Sequence, residues 1–230
     1  MPHFRAVVFD MDGLMFNTEE VYTSVGSELM RRRGKTFSAG LKDAMMGLPP
    51  QQAFEAMIRW HDLSDTVEQL IPESNGIFLE LLREQLALMP GLVELLEALE
   101  AAGIPKAIAT SSCRELTAAC LTPFDFARRF AFVLTAEDIV RGKPDPEVYL
   151  AAAARFGVRP AEMLVLEDSQ NGCRAAAAAG AFTVAVPGDH SRQQDFRTAS
   201  LVVGSLADAK LYAALGIPAA EVLGRGKNPS

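Results

Sequence analysis

Four stretches of the sequence carry side chains that could act on a reactive centre. They are Asp10 and Asp12 in Phe9-Asp10-Met11-Asp12-Gly13, the hydroxyl run Thr110-Ser111-Ser112, Lys143 in Gly142-Lys143-Pro144-Asp145-Pro146, and the pair Glu167-Asp168. Carboxylates brought to one point repel each other, and they make sense together when a hard cation such as Mg²⁺ sits among them. A lysine ammonium complements such a centre as a point charge for a phosphate. Taken singly, none of these stretches is distinctive. Asp-x-Asp-Gly is ordinarily a turn or helix cap, a strand-end Thr or Glu-Asp a cap, and Lys-Pro a solvated loop.

Three of the four stretches end an apolar run. Ala6-Val7-Val8-Phe9 leads into Asp10, Lys106-Ala107-Ile108-Ala109 into Thr110, and Met163-Leu164-Val165-Leu166 into Glu167-Asp168. Continuous apolar runs of this length read as strands buried on both faces, as in parallel sheets. Phe132-Val133-Leu134, Phe182 to Val186 and Leu201-Val202-Val203 add three more. Helical patterns lie between them. Leu92, Leu95, Leu96 and Leu99 repeat at helical spacing with Gly103 as a stop, and Glu147 to Phe156 and Gly172 to Ala179 follow, the latter stopped by Gly180. The alternation predicts an α/β fold, a doubly wound, mainly parallel sheet. Ligands of such sheets bind at the carboxyl ends of the strands, where Asp10, Asp12, Thr110, Glu167 and Asp168 would converge. Lys143 stands in the loop before the 147–156 helix.

The alternation stops between Asn17 and Leu88. Val21 to Arg32, Gln51 to Trp60, Val67 to Ile71 and Ile77 to Leu86 read as helices. An insertion of about 70 residues is too long for a βα loop and is expected to form a small helical domain. The expected organisation is a sheet domain of residues 1–16 and 89–223, a helical domain of residues 17–88, and a disordered tail at 224–230.

A formal net charge of -7 disfavours nucleic acid, since phosphates are repelled unless cations are concentrated on one face. The one short basic run, Arg31-Arg32-Arg33, reads as a solvated helix face. A phosphorylated substrate would therefore need positive charge supplied locally, by a metal ion and one or two placed cations. Three cysteines without a CxxC pair suit a reducing cytoplasm. The N-terminal sequence lacks a signal-peptide layout, and the longest apolar stretch, Ala175 to Pro187, is broken by Gly180 and falls short of a membrane span. No membrane and no protein partner is expected. His3, His61 and His190 show no metal-ligand spacing and are expected at the surface or in structural roles. Trp60 is expected in the core of the helical domain.

The four stretches together resemble the haloacid dehalogenase superfamily. Phe9-Asp10-Met11-Asp12-Gly13 looks like its DxDG signature, and Ala109-Thr110-Ser111 like its second motif. Gly142-Lys143-Pro144-Asp145-Pro146-Glu147 looks like the third, and Leu166-Glu167-Asp168-Ser169-Gln170-Asn171-Gly172 like the fourth. They stand in the family's order between about Arg5 and Val186. The helical insertion resembles the helical cap of the β-phosphoglucomutase-like subgroup.

That resemblance implies a Mg²⁺-dependent phosphatase acting on a small phosphorylated metabolite. Asp10 would attack phosphorus to form an aspartyl-phosphate, and Asp12 would act as acid and then base. Mg²⁺ would be held by the Asp10 carboxylate, the Asp12 backbone carbonyl and Asp168, with Glu167 binding the metal or its waters. Thr110 and Lys143 would neutralise the transferring phosphoryl group, assisted by the Ser111 amide. Ser111, Ser112, Arg114, Glu19, Tyr22 and Gln51 are the candidate substrate contacts. The cap would close over the rim through hinges near Gly13 to Asn17 and Leu88 to Gly91.

The family's dehalogenases lack an aspartate at the position of Asp12, so its presence points to phosphoryl chemistry. Its mutases carry an Arg after a Gly in the first cap loop and a His on the first cap helix. Here the loop is Met46-Gly47-Leu48-Pro49-Pro50-Gln51 and the His position holds Tyr22, which favours a phosphatase. Arg114 could grip a distal anion and keeps a phosphosugar mutase open. Asn17 stands where relatives often have Asp, keeping hydrogen bonds and losing a charge. The alternative of another class is a non-catalytic phosphate-binding protein, which should have lost Asp10, Asp12 or Lys143.

Overall fold

The computed structural model describes residues 4–46, 48 and 50–218. The four residues of β1 (Ala6–Phe9) are fully buried, as a strand covered on both faces must be. Four helices follow: α1 (Thr18–Arg32), α2 (Ala39–Met45), α3 (Pro50–His61) and α4 (Val67–Gln85). Helices and strands then alternate through α5 (Leu92–Ala101), β2 (Lys106–Ala109), α6 (Arg114–Leu121), β3 (Val133–Leu134) and α7 (Glu147–Phe156). β4 (Met163–Glu167), α8 (Gln170–Ala179), β5 (Phe182–Ala185), β6 (Leu201–Val202) and α9 (Ala209–Leu215) complete the described chain.

The six strands form one sheet ordered β3-β2-β1-β4-β5-β6, and every neighbouring pair is parallel. This is the doubly wound α/β arrangement expected from the sequence, and the strand order reverses beside β1. The register aligns the strand ends. Phe9 pairs with Ile108 of β2 and with Leu166 of β4, so the next residues along are Asp10, Ala109 and Glu167. Side chains alternate between the sheet's faces. Ala6 and Val8 join Val165 in a cluster with Val148, Tyr149 and Ala152 of α7 and Ala175, Ala176 and Ala179 of α8. The alanines bring both helices close to the strands. Phe9 meets Phe130 edge-on at 5.8 Å.

The chain divides into two compact units, with breaks after Phe16 and after Ala87. Within the helical unit, Tyr22 of α1 stacks on Phe78 of α4 with ring centroids 4.7 Å apart. Val21, Val25 and Leu29 of α1, and Leu70, Ile77 and Leu82 of α4, are buried. Asn17 ties the unit's two ends together: its amide nitrogen donates to Gln85 O at 3.1 Å and its oxygen accepts from Ala87 N at 2.7 Å. An aspartate could accept but not donate, which explains the amide at this position.

Several expectations need correction. The two helices expected on either side of Pro72 are one, α4. Proline removes a single backbone donor. The buried face Leu70, Ser74, Ile77, Phe78 and Leu82 continues through it, and Gln69 Oε1 accepts from Thr66 N at 2.9 Å to close the start. Helices α2, α6 and α9 were not expected; α2 is short and buries only Leu41, so its start rests on Ser38, which accepts from Leu41 N at 3.2 Å. Trp60 is not core: it is 51% exposed on α3, with its ring over Gly40 of α2. Arg33 is not simply solvated: it clamps Asp65 at 2.7 Å and Glu73 at 2.6 Å, while Arg31 and Arg32 pair with Glu28. His61 Nε2 lies 3.0 Å from Thr36 O. His3, Gly47, Pro49 and the tail 224–230 lie outside the described residues. Among the described residues no helix is long and apolar enough to cross a membrane.

Candidate active site

The carboxyl ends of β1 and β4 bring Asp10, Glu167 and Asp168 together. Each offers a carboxylate oxygen within 4.8 Å of the others, and all three residues are buried. Lys143 enters from the loop before α7. Its Nζ lies 2.5 Å from Asp10 Oδ1, 2.7 Å from Glu167 Oε1 and 3.0 Å from Ala109 O, which accepts its hydrogen bond. Burial pushes the Asp10 carboxyl well above its ordinary range; Lys143 opposes this, while Glu167, Asp168 and Asp12 add to it. Burial alone would lower the Lys143 ammonium, yet Asp10 and Glu167 hold it well above its usual value. Lysine is thus the charged partner, and one ammonium cannot neutralise the carboxylates around it. The excess negative charge and the all-oxygen donor set fit a divalent cation.

Asp12 completes the group from the turn after β1. Its Oδ2 accepts from Thr110 Oγ1 at 3.0 Å and from Ser112 Oγ at 2.7 Å. Thr110 Oγ1 also accepts from Ser112 N at 3.0 Å, so the end of β2 is folded around this aspartate. The other oxygen, Oδ1, is buried and accepts no hydrogen bond among the described residues. Such an orphaned buried acceptor is uncommon and marks a place where another group belongs.

Sequence reasoning missed the residues behind these. Tyr149 of α7 donates its hydroxyl to Glu167 Oε1, and Ser169 donates to Oε2 at 3.2 Å. Gly172 of α8 lies so close to the Glu167 carboxylate that a Cβ there would overlap it. His190, expected at the surface or in a structural role, instead places Nε2 2.7 Å from Asp168 Oδ2. The turn after β5 carries it there, and no local pattern announces that approach. The Ser169-Gly172 spacing was visible, since Ser169 Oγ accepts from Gly172 N at 3.1 Å and caps α8.

Within the sheet unit, the expected contacts Ser111 and Arg114 are not part of this cluster. Ser111 is exposed. Arg114 opens α6 with its N–H on Glu137 Oε1 at 3.0 Å, and its guanidinium lies 3.3 Å from Asp138. Its side chain lines a cavity of about 410 Å³ with Thr117, Thr135, Asp138 and Arg155. Glu19 and Tyr22 lie on α1 and Gln51 on α3, all in the helical unit.

Comparison with known proteins places these residues in a family. The sequence pattern of the haloacid dehalogenase-like hydrolases matches residues 7–186, a span that contains every member of the carboxylate–lysine cluster. The chain belongs to this family. A probable pseudouridine-5'-phosphatase of Drosophila melanogaster is 35% identical over 88% of this chain and 90% of its own length. A phosphorylated carbohydrates phosphatase of Thermotoga maritima is 32% identical over 76% of this chain and 82% of its own. Among solved structures, CbbY from Rhodobacter sphaeroides in complex with phosphate superimposes with a TM-score of 0.80 at 26% identity, covering 89% of this chain and 96% of that one. This dehalogenase-family member is an enzyme, a phosphoric monoester hydrolase.

Proposed function

We propose that this chain hydrolyses the phosphate monoester of a small phosphorylated carbohydrate, with Mg²⁺ as cofactor, through an aspartyl-phosphate on Asp10. One observation carries the proposal: four carboxylates and a buried ammonium gather at the carboxyl ends of parallel strands. The names of both phosphatase relatives, which describe phosphate carried on a sugar, support the substrate class.

Asp10 is the nucleophile. One of its oxygens bonds to phosphorus as the ester P–O bond breaks, which divides one displacement into two. Lys143, 2.5 Å from Asp10 Oδ1, stabilises the attacking carboxylate and the oxygens of the transferring group. Asp12 is the acid and then the base. With Oδ2 fixed by Thr110 and Ser112, Oδ1, which has no hydrogen-bond partner among the described residues, is the oxygen left to hand a proton to the leaving alkoxide. It then takes one from the water that hydrolyses the acyl phosphate. The Ser111 amide is a further donor to the phosphate, while the single Thr110 hydroxyl proton stays on Asp12 Oδ2 and holds that aspartate in place. Asp10, Asp168 and the Asp12 backbone carbonyl would hold Mg²⁺, while Glu167 stays engaged with Lys143, Tyr149 and Ser169 and acts behind them. Bound there, Mg²⁺ supplies charge neutralisation for the phosphoryl oxygens.

Arg114 is engaged with Asp138, which supports a phosphatase over a mutase that needs a second phosphate grip. We assign the choice among esters to Glu19, Tyr22 and Gln51. Their substitution should reorder a substrate panel without altering the metal requirement.

The test is phosphate release from a panel of sugar and polyol phosphates, with Mg²⁺ and with chelator, by wild type and Asp10→Asn. Acid-quenched enzyme is examined in parallel by intact mass for a phosphate adduct. Release that requires Mg²⁺ and disappears in Asp10→Asn is expected; release that persists in either condition overturns the mechanism.

A further inference from the structure

His190 reaches the site on a turn that closes on itself. Ser191 Oγ accepts from Gly188 N at 3.1 Å, Ser191 N donates to Gly188 O at 3.1 Å, and Ser191 is fully buried. The side chain of His190 is only 14% exposed, with Nε2 2.7 Å from Asp168 Oδ2. An ionised carboxylate accepts and cannot donate, so Nε2 carries the proton and donates it.

Two glycines make the slot for the ring. A Cβ on Gly13 would stand 2.9 Å from His190 Cε1 and would overlap Asp168 Oδ2; Gly13 also has φ +74°, a conformation that glycine adopts without strain. A Cβ on Gly188 would stand 2.8 Å from Cε1 and 3.0 Å from Nδ1. The imidazole therefore lies between the turn after β1 and the turn after β5, with its donor edge on Asp168.

We propose that His190 is a positioning residue for the divalent cation: its hydrogen bond fixes the plane of the Asp168 carboxylate before the ion binds. The inference rests on the proposed metal role of Asp168 and deepens it. A carboxylate turns readily about its terminal torsion, and clamping it removes reorganisation that the ion would otherwise have to impose. Hydrogen-bond partners behind metal ligands typically change metal affinity 10- to 100-fold, by the general behaviour of such sites.

The experiment is calorimetric titration of the full chain with Mg²⁺, paired with thermal melts of the metal-free protein. In His190→Ala the Mg²⁺ Kd should rise about 10- to 100-fold. The metal-free melting temperature should fall by no more than about 3–12 °C, the shift expected from one lost hydrogen bond to a buried carboxylate. His190→Gln, which keeps an N–H donor at comparable reach, should recover part of the affinity. Gly188→Ala keeps every side chain of the site and drives a methyl against the ring, so it should weaken Mg²⁺ binding in the same direction. A Kd in His190→Ala within about twofold of wild type overturns the inference. Equal losses of Mg²⁺ affinity in His190→Gln and His190→Ala also overturn it, because the donor then plays no part in holding the carboxylate. Asp168→Asn is the control. If wild type binds no Mg²⁺, or Asp168→Asn binds it equally well, the metal reading itself fails.

Discussion

Removing the Tyr149 hydroxyl should destabilise the protein more than the loss of one oxygen suggests. Tyr149 and Glu167 are both fully buried, and the phenol donates to the oxygen that also faces Lys143 at 2.7 Å. Tyr149→Phe keeps the ring, over which Lys143 Nζ stands 5.3 Å from the centroid, so packing and the cation–π contact persist. What is lost is a hydrogen bond to a buried charge, with a net contribution of roughly 1.5–3 kcal/mol. Glu167 keeps Lys143 and Ser169 and is not orphaned, so the lower part of that range applies, about 1.5–2 kcal/mol. That is about a 10- to 30-fold change in the folding equilibrium.

Urea denaturation reads this directly as a lower midpoint at unchanged slope. Burial and the nearby Glu167 push the Tyr149 phenol well up, so it remains a donor through the neutral and mildly alkaline range, and the difference should not vary there. Repeating Tyr149→Phe in a Glu167→Gln background isolates the charge, and the cost should fall to about 0.5–1.5 kcal/mol, as for a neutral pair. A loss below about 0.5 kcal/mol in the wild-type background refutes the assignment of the phenol to Glu167. An equal loss in both backgrounds refutes the charge-based magnitude.

Asn17→Asp should cost about 1–3 kcal/mol, because a carboxylate there faces the Gln85 carbonyl and the Glu20 carboxylate that the amide now donates to; a melting temperature at or above wild type counts against it. Arg33→Gln should lower stability at neutral pH by about 1–2 kcal/mol. Hydrogen bonds from Arg33 hold Asp65 and Glu73 below their ordinary 3.8 and 4.5. The unfolded chain therefore takes up protons first, and the advantage of wild type over Arg33→Gln should shrink as pH falls through the carboxylate range. A gap that stays constant between neutral and acid denaturation series contradicts this. Burial pushes the Cys120 and Cys173 thiols well up, so a thiol reagent should modify the half-buried Cys113 first in native protein, as peptide mapping would show. Simultaneous modification of all three would argue against the packing around Cys120 and Cys173.

The sheet was legible because burial on both faces leaves a simple trace. Ala6 to Phe9 and Met163 to Leu166 are apolar at every position, and the charged residue that ends each run marks the strand's carboxyl end. Asp10, Glu167 and Asp168 could be placed together for that reason alone. The helical unit was less legible where surface and packing compete. Pro72 suggested a break, yet the apolar face of α4 passes through it. α2 buries a single residue and leaves almost no periodicity to read. Arg33 sits in a basic run, and only the fold reveals the carboxylates at 2.7 and 2.6 Å that make it a clamp.

The groups proposed to carry reactive chemistry and the groups that hold them leave different marks in the sequence. Asp10, Asp12, Lys143 and Asp168 stand at strand ends or in the loops that follow, where type and spacing are informative. Tyr149, Ser169 and His190 approach from a helix face, a cap and a distant turn, and as residue types they are ordinary. Their nearest local trace is glycine. Gly172 leaves room for the Glu167 carboxylate, and Gly13 and Gly188 leave room for the His190 ring. Gly13 lies where side chains from distant segments rest against backbone, while Gly188 makes room for a ring of its own turn and Gly172 for the strand end just before its helix. A glycine near a charged strand end therefore marks where a side chain of the site must lie against backbone. In this chain Gly172 leads to the Glu167 carboxylate, and Gly13 and Gly188 lead to the histidine behind Asp168.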